Sequence, residues 1–114
     1  MLFTLFKSES NLHSYDYTAS PPSISPSIVG QCQQTLLNIE HALHQAGSSA
    51  QDVIRVRYIL PDGKMFPECW PILKQWFGDV RPAATMIQAG LMKDEMLIEV
   101  EVTARKGAGK RGAK

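Results

Sequence analysis

At 114 residues the chain has room for one domain and not for two. Hydrophobic residues make up 44% of it, which excludes wholesale disorder. The formal charge is +1, yet four of the twelve basic residues fall at positions 106–114, and the rest carries eight basic against eleven acidic side chains, a charge of −3. A mildly acidic body is a poor match for a phosphate backbone, so no nucleic-acid partner is expected.

The start, Met1 to Lys7, is too short for a signal segment, and no apolar run is long enough to span a bilayer. A cytoplasmic protein with no membrane partner is the expectation. Cys32 and Cys69 show neither CxxC spacing nor a nearby metal pattern and read as small buried hydrophobes. A monomer of this size buries only about two thirds of its unfolded surface, so association would help it.

Leu2 to Phe6 is a β-prone run. The Ser-, Pro- and Asn-rich stretch that follows, with its Tyr15-Asp16-Tyr17 island, reads as a loop, so residues 1–26 form a separate amino-terminal segment. Val29, Cys32, Leu36, Ile39, Leu43 and Ala46 then recur at helical spacing and predict one apolar stripe on a long helix. Ser25 or Ser27 can cap it, with Pro26 at the first helical position if Ser25 does, and Gly47 can end it.

Asp52 to Leu60 predicts a strand, with Ile54, Val56, Tyr58 and Leu60 on one face and Arg55 and Arg57 on the other. Phe66, Cys69, Leu73 and Trp76 predict a shorter helix that starts near Cys69 or kinks at Pro71, and that Gly78 can end. Strands are expected over about 84–89 and 96–105. In the last, Met96, Ile98, Val100, Val102 and Ala104 alternate with Leu97, Glu99, Glu101 and Thr103. Residues 107–114, rich in glycine and basic, read as a disordered tail.

The order predicts a two-layer α+β domain over residues 27–106, two helices on one face of a mostly antiparallel sheet. The other face carries Arg55, Arg57, Glu99 and Glu101 among apolar residues, which suggests contact with a second copy. If their strands are neighbours, these four charges form a cross-strand network, or else one carboxylate stays available in an interfacial pocket. Glu99 is expected beside the segment Arg81-Pro82-Ala83-Ala84-Thr85. No phosphate loop, zinc motif or nucleophile elbow is present, and His41 and His44 read as solvent-facing, so no metal or cofactor is expected.

Several of these residues resemble the RidA/YjgF family of small trimeric proteins. The match runs from about Gln31 to Lys106: Asn38, Ile39, Leu43, Ala46 and Gly47 in the first helix, Asp52 to Val56, Phe66 to Gly78, and Arg81-Pro82-Ala83 leading to Ile98-Glu99-Val100-Glu101-Val102. The resemblance implies a chorismate-mutase-like fold, a homotrimer, and clefts between subunits that bind a small metabolite. Active members hydrolyse enamines and imines to 2-keto acids and ammonia without a cofactor. In them a planar arginine two residues after the signature proline clamps the substrate carboxylate, and a glutamate of the last strand positions water.

Glu99 matches that glutamate and is the expected catalytic residue. The arginine position is Ala84, and Trp70 replaces the family's asparagine. Arg81 lies three residues before Ala84, about 10 Å away and on the opposite face of an extended strand. Arg81, Ala84, Met86 and Tyr17 are the expected substrate-binding residues. The resemblance without its clamp implies a metabolite-binding trimer with altered or absent deaminase activity. The alternatives are an active imine deaminase using Arg81, and a non-catalytic, chaperone-like interaction trimer.

Overall fold

The computed structural model describes residues 2–5, 15–16, 18 and 23–109. Strand β1 (Leu2–Leu5) is followed by a two-stranded ribbon of β2 (Tyr15–Asp16) and β3 (Ser23–Ile24). Helix α1 (Ile28–Gln45), strand β4 (Val53–Leu60), helix α2 (Trp70–Phe77), strand β5 (Ala83–Gln88) and strand β6 (Glu99–Arg105) complete the order. The main sheet runs β1-β6-β4-β5. β1 with β6 and β6 with β4 are antiparallel, whereas β4 and β5 are parallel. Two helices on a mostly antiparallel sheet is the α+β arrangement expected from the sequence.

Helix α1 forms because its apolar residues share one stripe and its start is capped. Ser27, rather than Ser25, is the N-cap: its hydroxyl accepts from the Gly30 N–H at 3.0 Å. Pro26 therefore precedes the cap instead of opening the helix. Ile28, Cys32, Leu36, Ile39 and Leu43 meet Val56, Tyr58, Leu60, Val100 and Val102 of the sheet in one core. Among them Gln31 is fully buried, and its amide donates to Ser25 O and Glu95 O and accepts from Leu97 N, each at 2.8 Å. A buried amide so satisfied costs little and pins the approach to β6.

The segment before α2 is a 3₁₀ run, Gly63–Cys69, capped by Asp62, whose carboxylate accepts from Lys64 N at 3.0 Å. Pro71 lies in the first turn of α2, where its missing N–H costs nothing. Gly78, at φ +59°, ends the helix. The start near Cys69 and the stop at Gly78 are as expected.

Three expectations change. A register shift between Val53 and Arg55 inserts a bulge in β4. Val53 therefore faces the core at 3% exposure and Ile54, expected inside, is 40% exposed. Strand β6 begins at Glu99 rather than Met96, although Met96 and Ile98 are still buried. Glu99 does not lie beside residues 81–85, because β4 separates β6 from β5.

Residues 107–109, expected within the tail, are placed against the domain. Gly107, at φ +89°, turns the chain back, and Gly109 fits only without a side chain, since a Cβ there would lie 2.8 Å from Gln51 Cβ. Gly109 N–H donates to Asp52 Oδ1 at 2.9 Å and Ser48 Oγ to Oδ2 at 2.6 Å. Residues 110–114 lie outside the described residues. No described helix is long and apolar enough to cross a membrane.

Two outcomes test this packing. Ile39 is 0% exposed and Leu37 is 58% exposed on the same helix. Ile39→Ala is expected to cost about 2–5 kcal/mol in urea unfolding, whereas Leu37→Ala stays within about 0.5 kcal/mol. Burial pushes the Asp52 carboxyl up, but hydrogen bonds from Ser48, Gly109, Gly107 and Ser49 outweigh it and hold the group below the ordinary carboxylate range. A folded carboxyl with a depressed pKa stabilises the fold above its unfolded value of about 3.9, and that stabilisation drains away as pH falls through the lower folded value. Asp52→Asn is therefore expected to flatten the loss of stability measured by urea titration from about pH 6 to pH 3.

Candidate functional site

Alternation along β5 sorts its residues between two sides of the sheet. Val56 pairs with Ala84, Tyr58 with Met86 and Leu60 with Gln88, so these three β5 residues share the helix side. Ala83, Thr85 and Ile87 share the other side with Arg55, Arg57 and Ile59. All six residues of β5 are exposed, and among the described residues its outer edge has no partner strand. Such an edge invites pairing with another chain.

On the helix side an aromatic series climbs from the sheet. Tyr58 meets Phe66 with ring centroids 4.8 Å apart, and Phe66 meets Trp70 edge-on at 6.4 Å. Trp70 is 58% exposed and Met86, beside Tyr58 on the ladder, is 44% exposed. Gly63 N donates to Gln88 Oε1 at 3.0 Å, which ties the 3₁₀ run to the end of β5. Phe66, Trp70, Met86 and the small Ala84 thus give this side an apolar, thioether-lined margin. It suits a flat uncharged group better than a carboxylate.

The opposite side of the sheet holds the charges. Arg57 pairs in register with Glu101, and its Nη2 donates to Glu101 Oε2 at 2.7 Å. The side chains are 35% and 10% exposed respectively. Arg57 Nε is buried without a hydrogen-bond partner among the described residues. Arg55 is exposed opposite Thr103 and joins no ion pair among the described residues. Glu99 is opposite Ile59 and only 5% exposed. Of the four charges expected to form a network or to leave one carboxylate available, Arg57 and Glu101 form an ion pair across β4 and β6.

The expected site residues fall in three places. Ala84 and Met86 are on the helix side of β5, while Glu99 is on the opposite side and two strands away. One chain alone does not bring them together. Arg81 lies in the turn before β5, where its Nη1 donates to Gly78 O at 2.7 Å and Val80 O at 3.1 Å. It helps line a groove of about 1220 Å³ with Glu40, Ile54, Trp76 and Phe77, which sequence reading did not foresee. The groove depends on the β4 bulge that turns Ile54 outward, and no residue pattern announces that bulge. Tyr17 lies outside the described residues. Among the described residues no three His, Cys, Asp or Glu side chains gather as a metal site.

Comparison with known proteins places this geometry in context. Residues 18–106 match a family model described as endoribonuclease L-PSP. A RutC family protein of Pyrococcus horikoshii is 34% identical over 79 residues, covering 69% of this chain and 63% of its own length. The 3-aminoacrylate deaminase RutC of Acinetobacter baylyi is 34% identical over 74 residues, covering 65% of this chain and 59% of its own. The chain thus spans less than two thirds of the length of these relatives. Among solved structures, a member of the YjgF/YER057c/UK114 family from Mycobacterium tuberculosis superposes with a TM-score of 0.68 at 33% identity, covering 70% of this chain and 69% of its own.

Arg57→Met is expected to destabilise the fold by about 1–3 kcal/mol in urea unfolding, because it strands the carboxylate of Glu101. Adding Glu101→Gln to that variant is expected to recover part of the loss, as a double-mutant cycle would show.

Proposed function

Because the chain belongs to the endoribonuclease L-PSP family, the RidA/YjgF proteins, we propose that it works in the cytoplasm as a homotrimer. Each inter-subunit cleft binds a small, uncharged metabolite, and deamination of imino acids is weak or absent. The observation that carries this reading is the division of β5 and β6: Ala84 and Met86 on one side of the sheet, Glu99 on the other. A cleft containing both kinds of residue needs a second chain, and the exposed edge of β5 offers it a place to join.

Glu99 is the residue proposed to orient water or hold a polar group of the ligand. At the position of the family's arginine this chain has Ala84, and Arg81 spends its Nη1 on the carbonyls of Gly78 and Val80. Without a bidentate cation the carboxylate of an imino acid loses a contact of about 1.5–3 kcal/mol, or roughly ten- to a hundredfold in affinity. Trp70, Phe66 and Met86 favour an apolar ligand surface instead.

A second reading is retained because a relative of 34% identity is described as a 3-aminoacrylate deaminase and Glu99 is in place. On that reading the chain hydrolyses an enamine or imine, with Arg81 or another cation taking the carboxylate.

Both readings meet the same assay, in which an amino-acid deaminase generates 2-iminobutanoate and release of the keto acid is followed with and without the protein. Little acceleration by the natural chain and a gain of about tenfold or more on Ala84→Arg are expected. Robust acceleration by the natural chain, lost in Arg81→Ala and in Glu99→Gln, would overturn the altered-pocket reading in favour of the deaminase. Light scattering that gives a stable monomer would sink both.

A further inference from the structure

The groove beside the β4 bulge is built by one chain and stands apart from the residues of the proposed cleft: neither Trp70, Ala84, Met86 nor Glu99 lines it. Its walls come from α1, the bulged start of β4, the end of α2 and the turn into β5. Ile54, Trp76 and Phe77 supply the apolar part, and the two rings meet edge-on with centroids 4.9 Å apart. The hollow is open to solvent, measures about 1220 Å³, and leaves Ile54 well exposed.

Charges of both signs border the same hollow: Glu40 on α1, and Asp79 and Arg81 in the turn before β5. None of them joins an ion pair among the described residues. Glu40 is half-buried, so its carboxylate is partly desolvated with no cation beside it. Arg81 is exposed and already oriented, because its Nη1 bonds to Gly78 O and Val80 O hold the guanidinium plane. Its Nε–Nη2 edge makes no hydrogen bond among the described residues, and two parallel donors on a planar edge match a carboxylate. In the wall, Trp76 Nε1 is buried with no acceptor among the described residues.

We infer that this groove is a second binding site, for a zwitterionic α-amino acid with an aromatic side chain. The ligand carboxylate takes the Nε–Nη2 edge of Arg81, its ammonium takes the carboxylates of Glu40 and Asp79, and its ring lies against Ile54, Trp76 and Phe77. A carboxylate without an ammonium meets two like charges in Glu40 and Asp79. An amine without a carboxylate leaves the oriented edge of Arg81 unused and adds a like charge beside it. Only a ligand carrying both charges complements both signs of the wall, which is how the groove would select its guest. A single amino acid does not fill 1220 Å³, so its charged ends keep part of their water and the affinity is modest, with Kd about millimolar.

The test is titration calorimetry of the full chain with L-phenylalanine, phenylacetate and phenethylamine. L-phenylalanine is expected to bind saturably and about tenfold or more tighter than either analogue. Arg81→Ala and Glu40→Gln are each expected to weaken it about tenfold, whereas Glu99→Gln, in the proposed cleft, leaves it unchanged. In Trp70→Phe, which keeps Trp76 as the single tryptophan, the emission is expected to change saturably at the calorimetric Kd. No binding of L-phenylalanine, or an analogue that binds as tightly, overturns the proposal. So does binding that survives Arg81→Ala and Glu40→Gln, and so does a loss in Glu99→Gln equal to that in Arg81→Ala, which puts the ligand in the cleft. An affinity that falls as the protein concentration rises shows a groove filled by a second copy and overturns it as well.

Discussion

The parallel pairing of β4 with β5 is the constraint from which the rest of the architecture follows. Two parallel neighbours cannot be joined by a tight turn, and the chain must cross over one face of the sheet before it returns. Here the crossover is the 3₁₀ run and α2, and it lies on the same face as α1. Both amphipathic helices are thereby spent on one side. The other side of the sheet is left to Arg57, Glu101 and Glu99, and β5 is left at the margin with all its residues exposed. β4 is the central member, since it alone pairs with both β5 and β6.

Two small polar centres hold the connections that this sheet requires. Gln31 spends a fully buried amide on three backbone groups, two of them in the segment that leads into β6. Asp52 does the same at the other end of β6, collecting Ser48 and the glycines that follow the strand. β6 is therefore fixed at both ends by side chains from outside the sheet. That fixes which of its residues face the helices, and so places Glu99 on the charged side. In a sheet a slip of one residue would exchange the two sets.

The candidate site inherits its character from that division. Apolar and aromatic groups collect on the helix side of β5, and ionisable groups collect on the other. No single chain joins the two, so chemistry that needs both has to be made between copies. Cys32 of α1 and Cys69 at the end of the 3₁₀ run both belong to the buried core.

By itself the sequence determined the elements whose signals are local. The stripe of Cys32, Leu36, Ile39 and Leu43 marks α1, and the alternation from Val100 to Ala104 marks the buried face of β6, because period and burial are linked within a few residues. The family was legible for the same reason, its short motifs standing in order. Tertiary structure alone decided what depends on partners distant in the chain: the bulge that turns Ile54 outward, the strand β4 that parts Glu99 from residues 81–85, and the pairing of Arg57 with Glu101. It also tied Gly109 to Asp52. These follow from register and crossover, which are set by the packing of the whole domain and leave no periodic trace in any one segment.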